Sequence, residues 1–317
     1  MIVIVAITSF NRWDSYHPYS MALARFRRDF TTLNDYYWGA AASISAVGGK
    51  LRHLKDSDDF RSQLGLASSR FEKPLGHVTS VFGGQVRRSE EWHRRAVLVM
   101  LASALERYLA TVTTLAAASN PTLSRAPHLL DGLALLKYDV QTVTHDVVDV
   151  VKGDWNSRSA AFSRLFGPNP LLHDAISAFE RMRRDRNAIA HSFGSQSAAE
   201  VLSPHAMLLV GAGRTANAYG EISVSEKRLV KLFNRVHSVV EAVDRQLMAE
   251  QIGSYEVAAL YIEWERDPTA FEQACGANLW HKDRSKERNA KRFLTFAYGA
   301  GVTVEYVRSM EKYLLGL

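Results

Sequence analysis

The chain of 317 residues is poor in cysteine and has no long apolar run. Its single cysteine, Cys275, excludes an intrachain disulfide framework and a cysteine-rich zinc site, which is typical of proteins from a reducing cytosol. No stretch approaches the roughly 20 apolar residues that cross a bilayer. The apolar start, residues 1–7, is short and has no basic segment before it, so it is a poor signal peptide. We therefore expect a soluble, cytoplasmic protein that uses no membrane.

The excess of positive charge is also small. A formal net charge of +6 favours an anionic partner such as nucleic acid, but at this length it is mild and carries no information about the fold. The length suffices for one large domain or for two to three modest ones with a well-buried core.

Residues 179–194 (FERMRRDRNAIAHSFG) carry the pattern that points most directly to chemistry. Apolar residues recur at three- and four-residue steps, which predicts one buried helix face through Ala175, Phe179, Met182, Ile189, Ala190 and Phe193. Arg186 falls inside this stripe. Because a buried guanidinium without compensation costs several kcal/mol or more, we expect it to meet an acid, a phosphate or a hydrated interface.

The spacing Arg186, Asn187 and His191, on a helix closed by glycine, resembles the R-x4-H motif of HEPN-domain proteins, many of which cut RNA. A long apolar helix upstream that carries residues 105–109 (LERYL) adds to the resemblance, which covers about the middle half of the chain. The resemblance implies a metal-independent endoribonuclease in which Arg186, His191 and Asn187 are catalytic. It also implies a homodimer with one composite cleft. The family is frequent among toxins and phage-defence effectors, so an antitoxin or a defence-system partner is expected.

The residue types suit this reaction. A histidine can take the proton of a 2′-hydroxyl or protonate the leaving 5′-oxygen, and an arginine can stabilise the charge that builds on phosphorus. Asn187 can orient the histidine or hold a phosphate oxygen. Arg181, Arg183 and Arg184 would attract RNA in a manner that weakens with salt.

Helical spacing leaves the identity of the functional arginine open. At about 100° per residue, Arg186 and His191 are about 140° apart, whereas Asn187 and His191 share a face with Arg184. Three arrangements could bring Arg186 to His191: the arginine curls round the helix, the helix loosens before Gly194, or two copies of the chain face each other. Spacing alone supports Arg184 equally well as the partner of His191.

Between Val97 and Ala118 nearly every residue is apolar or small, and Glu106 and Arg107 are the only charges. Such a pattern predicts an interior helix. Since buried arginines usually pair with a carboxylate, we expect Glu106 to neutralise Arg186.

The remaining patterns predict a mainly all-α fold, an HEPN-like up-and-down helical bundle with a small β-hairpin insertion and helical extensions at both ends. We expect helices at 19–47, 87–119, 129–152, 155–167, 171–193, 225–251, 255–265, 269–274 and from 285 onward, with strands at 205–210 and 219–224. The expected domains are 1–84, 85–252 and 253–317. Gly48 and Gly49 are expected to end the first helix, and Ser223 with Glu226 resembles a capping box.

The densest basic run lies near the C-terminus and includes Lys286, Arg288 and Lys291. This run predicts contact with RNA. The alternative interpretation is a solvated helix face on which Glu287 pairs with Lys291. His145, Asp146 and Asp149 match no tight set of metal ligands. We expect neither a metal nor another cofactor.

Two other functions fit the same residues. A non-catalytic HEPN-like helical module would use Arg186 in a structural ion pair and would bind a partner or nucleic acid. A DNA-binding regulator would use the basic C-terminal helices.

Overall fold

The computed structural model describes residues 9–15, 17–55, 58–66, 79–119, 147–192, 222–276, 284–298 and 302–315. Within these residues every regular element is helical, which confirms the predicted all-α character. The helices are α1 Met21–Leu51, α2 Phe60–Gln63, α3 Thr79–Ser119, α4 Val148–Val151, α5 Trp155–Phe166, α6 Pro170–Ser192, α7 Glu226–Leu247, a π-helical turn Met248–Ile252, α8 Tyr255–Arg266, α9 Pro268–Cys275, α10 Lys286–Tyr298 and α11 Val304–Leu314.

The chain forms two compact units, each assembled from several segments. The first unit consists of Met1–Phe26, Leu105–Ser177 and Val236–Leu317, and the second consists of Arg27–Ala104 and Ala178–Arg235. The division into consecutive domains at residues 84 and 252 stays a prediction.

In the first unit, α8, α10 and α11 share one apolar core. Trp264 of α8 stacks on Phe293 of α10 with ring centroids 5.8 Å apart, and Tyr306 of α11 is equally buried. Arg12 joins two helix ends of this unit, because its guanidinium donates to the carbonyl of Ser119 at 2.5 Å and to that of Ile252 at 2.6 Å. The last carbonyls of a helix have no partner within the helix, and this one side chain supplies a hydrogen-bond donor to a carbonyl at each of the two ends.

In the second unit, α1 packs against α3 and α7. The ring of His93 lies parallel to that of Tyr37, with centroids 5.6 Å apart, and Phe30 contacts Phe233 at 5.2 Å. A smaller cluster of Leu51, Phe60 and Phe82 lies towards the C-terminal end of α1. Since Tyr37 meets His93 and Leu51 meets Phe82, α1 and α3 run antiparallel.

Three expectations at element ends were wrong. Gly48 and Gly49 lie inside α1 instead of ending it, and α3 begins at Thr79 rather than near residue 87, so the predicted border at 84 falls inside a helix. The hydroxyl that caps α7 belongs to Ser225, which accepts the N–H of Arg228 at 3.3 Å, rather than to Ser223. For α1, the packing of Leu51 with Phe60 and Phe82 outweighs the two glycines, and for α7 a neighbouring hydroxyl takes the place of the predicted cap.

Most of the predicted β-hairpin, residues 205–221, lies outside the described residues, as does most of the helix predicted at 129–152. Residues 222–224, the end of the second predicted strand, have no regular structure. Instead they are attached to α3, because Arg95 donates to the carbonyl of Ile222 at 2.8 Å and Glu91 accepts the N–H of Val224 at 3.1 Å.

Among the described helices, α3 is long and apolar enough to cross a membrane by length and composition. However, 67% of its most apolar 18-residue window is buried inside the protein, as in a core helix.

Candidate functional site

The helix that carries the R-x4-H motif, α6, starts at a defined cap. The side chain of Asn169 accepts the N–H of Leu172 at 3.0 Å, and Pro170 occupies the first helical position. Proline suits this position because its missing N–H would have no partner there, and asparagine is among the preferred capping residues. The cap fixes where the helix begins and therefore the direction of every later side chain.

The predicted apolar stripe of α6 is confirmed along the first part of the helix. Ala175, Phe179 and Met182 are each at most 1% exposed. Past Met182 the burial decreases, and the prediction was wrong there, because Ile189 is partly exposed and Ala190 is exposed, while Phe193 lies outside the described residues. Arg186 and Asn187 are both partly exposed. Arg186 thus sits where the stripe emerges from the core, and it is partly exposed to solvent rather than fully buried.

Two acidic residues lie among the arginines of α6. Glu180 binds Arg183 with both oxygens, at 3.0 Å to Nε and 2.7 Å to the terminal nitrogen. Asp185 pairs with Arg228 of α7, and both side chains are mostly buried. The charge of Arg183 is therefore compensated locally, and Arg183 is less suited to bind RNA than its neighbours.

Arg181 and Arg184 are exposed. Arg184 lies 3.9 Å from Glu180 but keeps 69% of its side chain in solvent. Among the described residues neither arginine has an acidic partner nearer than 3.9 Å, which suits both to attract a phosphate.

His191 lies in the last turn of α6, and its side chain is outside the described residues. Helical spacing assigns position 191 to the face of residues 181, 184 and 188, at steps of three and four. Arg186 lies about 140° from position 191, on the other side of the helix, so it could meet a histidine only through one of the three arrangements given above. The backbone thus keeps both predicted options, Arg184 and Arg186, open.

Glu106, the predicted partner of Arg186, forms an ion pair with Arg158 at 3.1 Å within the first unit. Arg158 also donates to the carbonyl of Gly153 at 3.0 Å, and its guanidinium lies 5.0 Å from the centre of the Trp155 ring. The pairing of Glu106 with Arg186, which belongs to the second unit, stays a prediction.

The C-terminal basic run is only partly available to a ligand. Lys286 pairs with Glu265 and lies 3.5 Å from Glu311. Burial alone would lower the pKa of Lys286, but the hydrogen bond to Glu265 and the charges of both acids raise the pKa above its ordinary value. Arg288 and Lys291 are exposed on the same helix, α10.

Glu287, whose pairing with Lys291 was part of the alternative to RNA contact, lies 3.7 Å from Arg308 of α11. The exposed cations Arg288 and Lys291 remain candidates for RNA contact.

Within the described part of the chain, no group of three or more histidine, cysteine, aspartate or glutamate side chains could hold a metal. Asp149 pairs with Arg164 at 3.4 Å, and His145 and Asp146 lie outside the described residues.

The sequence patterns missed Arg228, which compensates Asp185 from 43 positions further along the chain. No local spacing connects the two residues, so the pair can be predicted only when the packing of α6 against α7 is known. The Glu180–Arg183 pair did have a signal, because residues three apart are neighbours on a helix.

Comparisons with family models, with curated proteins and with solved structures find no match to this chain. Its function is therefore inferred from its own residues.

Proposed function

We propose that this protein is a metal-independent endoribonuclease whose site lies at the C-terminal end of α6. The observation that carries the proposal is the setting of Arg186. This arginine and Asn187 are partly exposed where the buried stripe ends, on the helix that also carries the exposed Arg181 and Arg184, with His191 in the following turn. A cationic, partly desolvated helix end near a histidine is suited to phosphodiester chemistry.

In the proposed reaction the 2′-oxygen of the RNA attacks the adjacent phosphorus and the 5′-oxygen leaves. His191 removes the proton of the 2′-hydroxyl or protonates the leaving oxygen, and Arg186 stabilises the negative charge on the phosphoryl oxygens. Asn187, four residues before His191, orients the imidazole or binds a phosphate oxygen. The products carry a 2′,3′-cyclic phosphate, or a 3′-phosphate after hydrolysis, and a 5′-hydroxyl.

The single histidine of the motif, His191, cannot act as base and acid in the same step. Two copies of the chain would supply two histidines, and the proposed site is therefore a composite of the two α6 helices in a homodimer. RNA is the proposed substrate, and an antitoxin or another defence-system protein is the proposed regulator.

A second candidate is a non-catalytic helical module that binds a partner or nucleic acid. The ion pairs Glu180–Arg183 and Asp185–Arg228 favour it, because they tie two cations near the motif into structural contacts. In this function Arg186 contributes to stability and His191 to neither stability nor activity.

The test is incubation of the purified chain with total RNA in the presence of EDTA, beside its His191→Ala variant, followed by mapping of the cut ends. We expect cleavage by the unmodified chain, products with the ends given above, and loss of cleavage in a variant that keeps its circular dichroism spectrum and its oligomeric state. A folded, dimeric His191→Ala chain that cleaves RNA at the full rate would exclude His191 as a catalytic residue. A dependence on divalent metal would exclude the mechanism.

A further inference from the structure

Two exposed aromatic side chains stand on neighbouring helices of the second unit. Tyr36 of α1 is 52% exposed and Trp92 of α3 is 47% exposed. Buried groups support both rings. The guanidinium of Arg95 lies 5.5 Å from the centre of the Trp92 ring, and the His93 ring is 4.9 Å from that of Tyr36. Because Arg95 and His93 are at most 8% exposed, they hold the two aromatic rings in place while leaving part of each ring in solvent.

The two aromatic residues are not part of the lining of a cavity between α1 and α3, but they stand on the helix faces that line it. A cavity of about 470 Å³ is lined by residues of α1 and α3, namely Ser43, Ile44, Val47, Phe82, Gln85, Val86 and Ser89. Tyr36 precedes Ser43 by seven residues and Trp92 follows Gln85 by seven, and residues seven apart share a helix face. Since α1 and α3 are antiparallel, the two rings extend the same end of this cavity. We name the cavity with Tyr36 and Trp92 the α1–α3 groove.

The lining of the α1–α3 groove is mainly apolar, which suits the faces of nucleobases. Oε1 of Gln85 is shielded from solvent, so it is not itself a contact point for a base. The hydroxyl groups of Ser43 and Ser89 lie in the same lining. Both serines are exposed, and their hydroxyl oxygens can accept hydrogen bonds from the exocyclic amino groups of bases.

The rim of the groove is cationic. Lys50 follows Ser43 by seven residues on α1, Arg88 follows Gln85 by three on α3, and both are exposed. Among the residues that the structure describes, those lining the cavity include no acid. Exposed aromatic rings together with cations are the usual elements of surfaces that bind single-stranded nucleic acid.

We propose that single-stranded RNA binds along the α1–α3 groove, with bases stacked on Tyr36 and Trp92 and phosphates beside Lys50 and Arg88. This inference rests on the proposed function, since it takes RNA as the ligand, and it adds the substrate class. Bases in a duplex are already stacked on each other and cannot offer their faces to a side chain, so the groove selects unpaired RNA.

The experiment measures binding of a fluorescent single-stranded RNA of about 12 nucleotides, a length typical of such sites. Fluorescence anisotropy is recorded in EDTA with the full chain carrying His191→Ala, so that cleavage does not consume the probe. We expect Tyr36→Ala and Trp92→Ala each to raise Kd about tenfold, because each removes one stacking platform. Trp92→Phe retains an aromatic face and restores most of the affinity. Arg88→Ala lowers the slope of log Kd against log salt concentration by about one phosphate contact.

The matched control is Trp38→Ala. Trp38 is 45% exposed and lies on α1 two residues after Tyr36, on the opposite side of the helix. Its loss leaves Kd unchanged if the groove binds the RNA. Circular dichroism and thermal unfolding establish that each variant is folded.

Three outcomes overturn the proposal: a folded Trp92→Ala chain with unchanged Kd, equal affinity for duplex and single-stranded RNA, or equal losses in Trp38→Ala and Trp92→Ala. The failure of the proposed function gives a different result. If the chain with His191 intact never cuts RNA while Trp92→Ala still weakens binding, the nuclease is excluded and the groove stands. Cleavage combined with unchanged binding by Trp92→Ala excludes the groove alone.

Discussion

Both carboxylate oxygens of Glu256 accept the backbone N–H of Met21, at 3.0 Å each. Beside it, Asp244 accepts the N–H of Ser20 at 3.0 Å and the hydroxyl of Tyr108 at 3.2 Å. Glu256 and Asp244 are 3% and 1% exposed. The first turn of α1, where the helix dipole is positive, thus begins on two buried carboxyl groups of the first unit.

This arrangement predicts that stability falls as the pH rises towards 8. Burial is the main cause that raises the pKa of Glu256 to about 8, and the charge of Asp244 adds to it, while the bonds from Met21 and Tyr298 oppose it. In the unfolded chain the pKa returns to about 4.3. Between these two values the folded chain holds a proton that the unfolded chain has lost. The free energy of unfolding therefore decreases with pH by up to about 1.4 kcal/mol per unit.

The measurement is urea unfolding of the wild-type chain and of Glu256→Gln from pH 5 to pH 9. The glutamine variant should lose most of this slope, because it has no proton to release. Glu305→Gln, at an exposed position of α11, serves as the control and should keep the slope. If the free energy of unfolding depends on pH in the same way in all three proteins, the pKa of Glu256 is the same in the folded and the unfolded chain, and the prediction is wrong.

The second prediction concerns Gly253, which has φ +53°. A Cβ at this position would lie 2.5 Å from the carbonyl oxygen of Arg12, and that oxygen already accepts the N–H of Ser254 at 3.0 Å. Gly253→Ala should lower the free energy of unfolding by at least about 2 kcal/mol, since strain and overlap with backbone combine.

Gly39→Ala is the matched substitution, because Gly39 lies inside α1 and an added Cβ would meet nothing within 4 Å. It should stabilise the protein by about 0.5 to 1 kcal/mol, as alanine loses less backbone entropy than glycine in a helix. Thermal unfolding compares the two variants. If both substitutions raise or both lower the stability, the prediction from the local geometry of the two glycines is wrong.

The third prediction contrasts two ion pairs of the first unit. Arg158 is 6% exposed and binds Glu106, so Arg158→Ala should cost about 3 kcal/mol of unfolding free energy by leaving that carboxylate without this guanidinium. Arg164 and Asp149 are 65% and 66% exposed, and Arg164→Ala should change the same quantity by less than about 0.5 kcal/mol. Chemical denaturation measures both. Similar losses of unfolding free energy in the two variants would mean that burial does not determine how much each ion pair contributes to stability.

The fourth prediction distinguishes the two arginines of the proposed site. Arg186→Ala should lower kcat for RNA cleavage by about 10²- to 10³-fold, because it removes charge stabilisation in the transition state. Arg184→Ala should act mainly on KM and on its dependence on salt, since Arg184 is exposed and suited to attracting phosphate. Single-turnover kinetics in EDTA separates the two effects. The reverse pattern would assign the transition-state role to Arg184.

Local patterns predicted much of the helix content. The apolar period of α6 located Phe179 and Met182 in the core, and the long apolar segment of α3 is interior as expected. Element ends were less predictable, because the glycines at 48 and 49 are accommodated inside α1. For the candidate site, the sequence predicted the position of each arginine on its helix, but the partners of Asp185 and Glu256 depend on residues distant in the chain.

The sequence alone determined that this protein is helical and which residues of α6 share a face, because both follow from the 3.6-residue period of the helix. Only the tertiary structure decided which charges are compensated. Arg183 and Arg228 are held by acids, whereas Arg181 and Arg184 face solvent. The physical reason is that an ion pair depends on a separation of a few ångströms, and for segments distant in sequence that separation is set by helix packing.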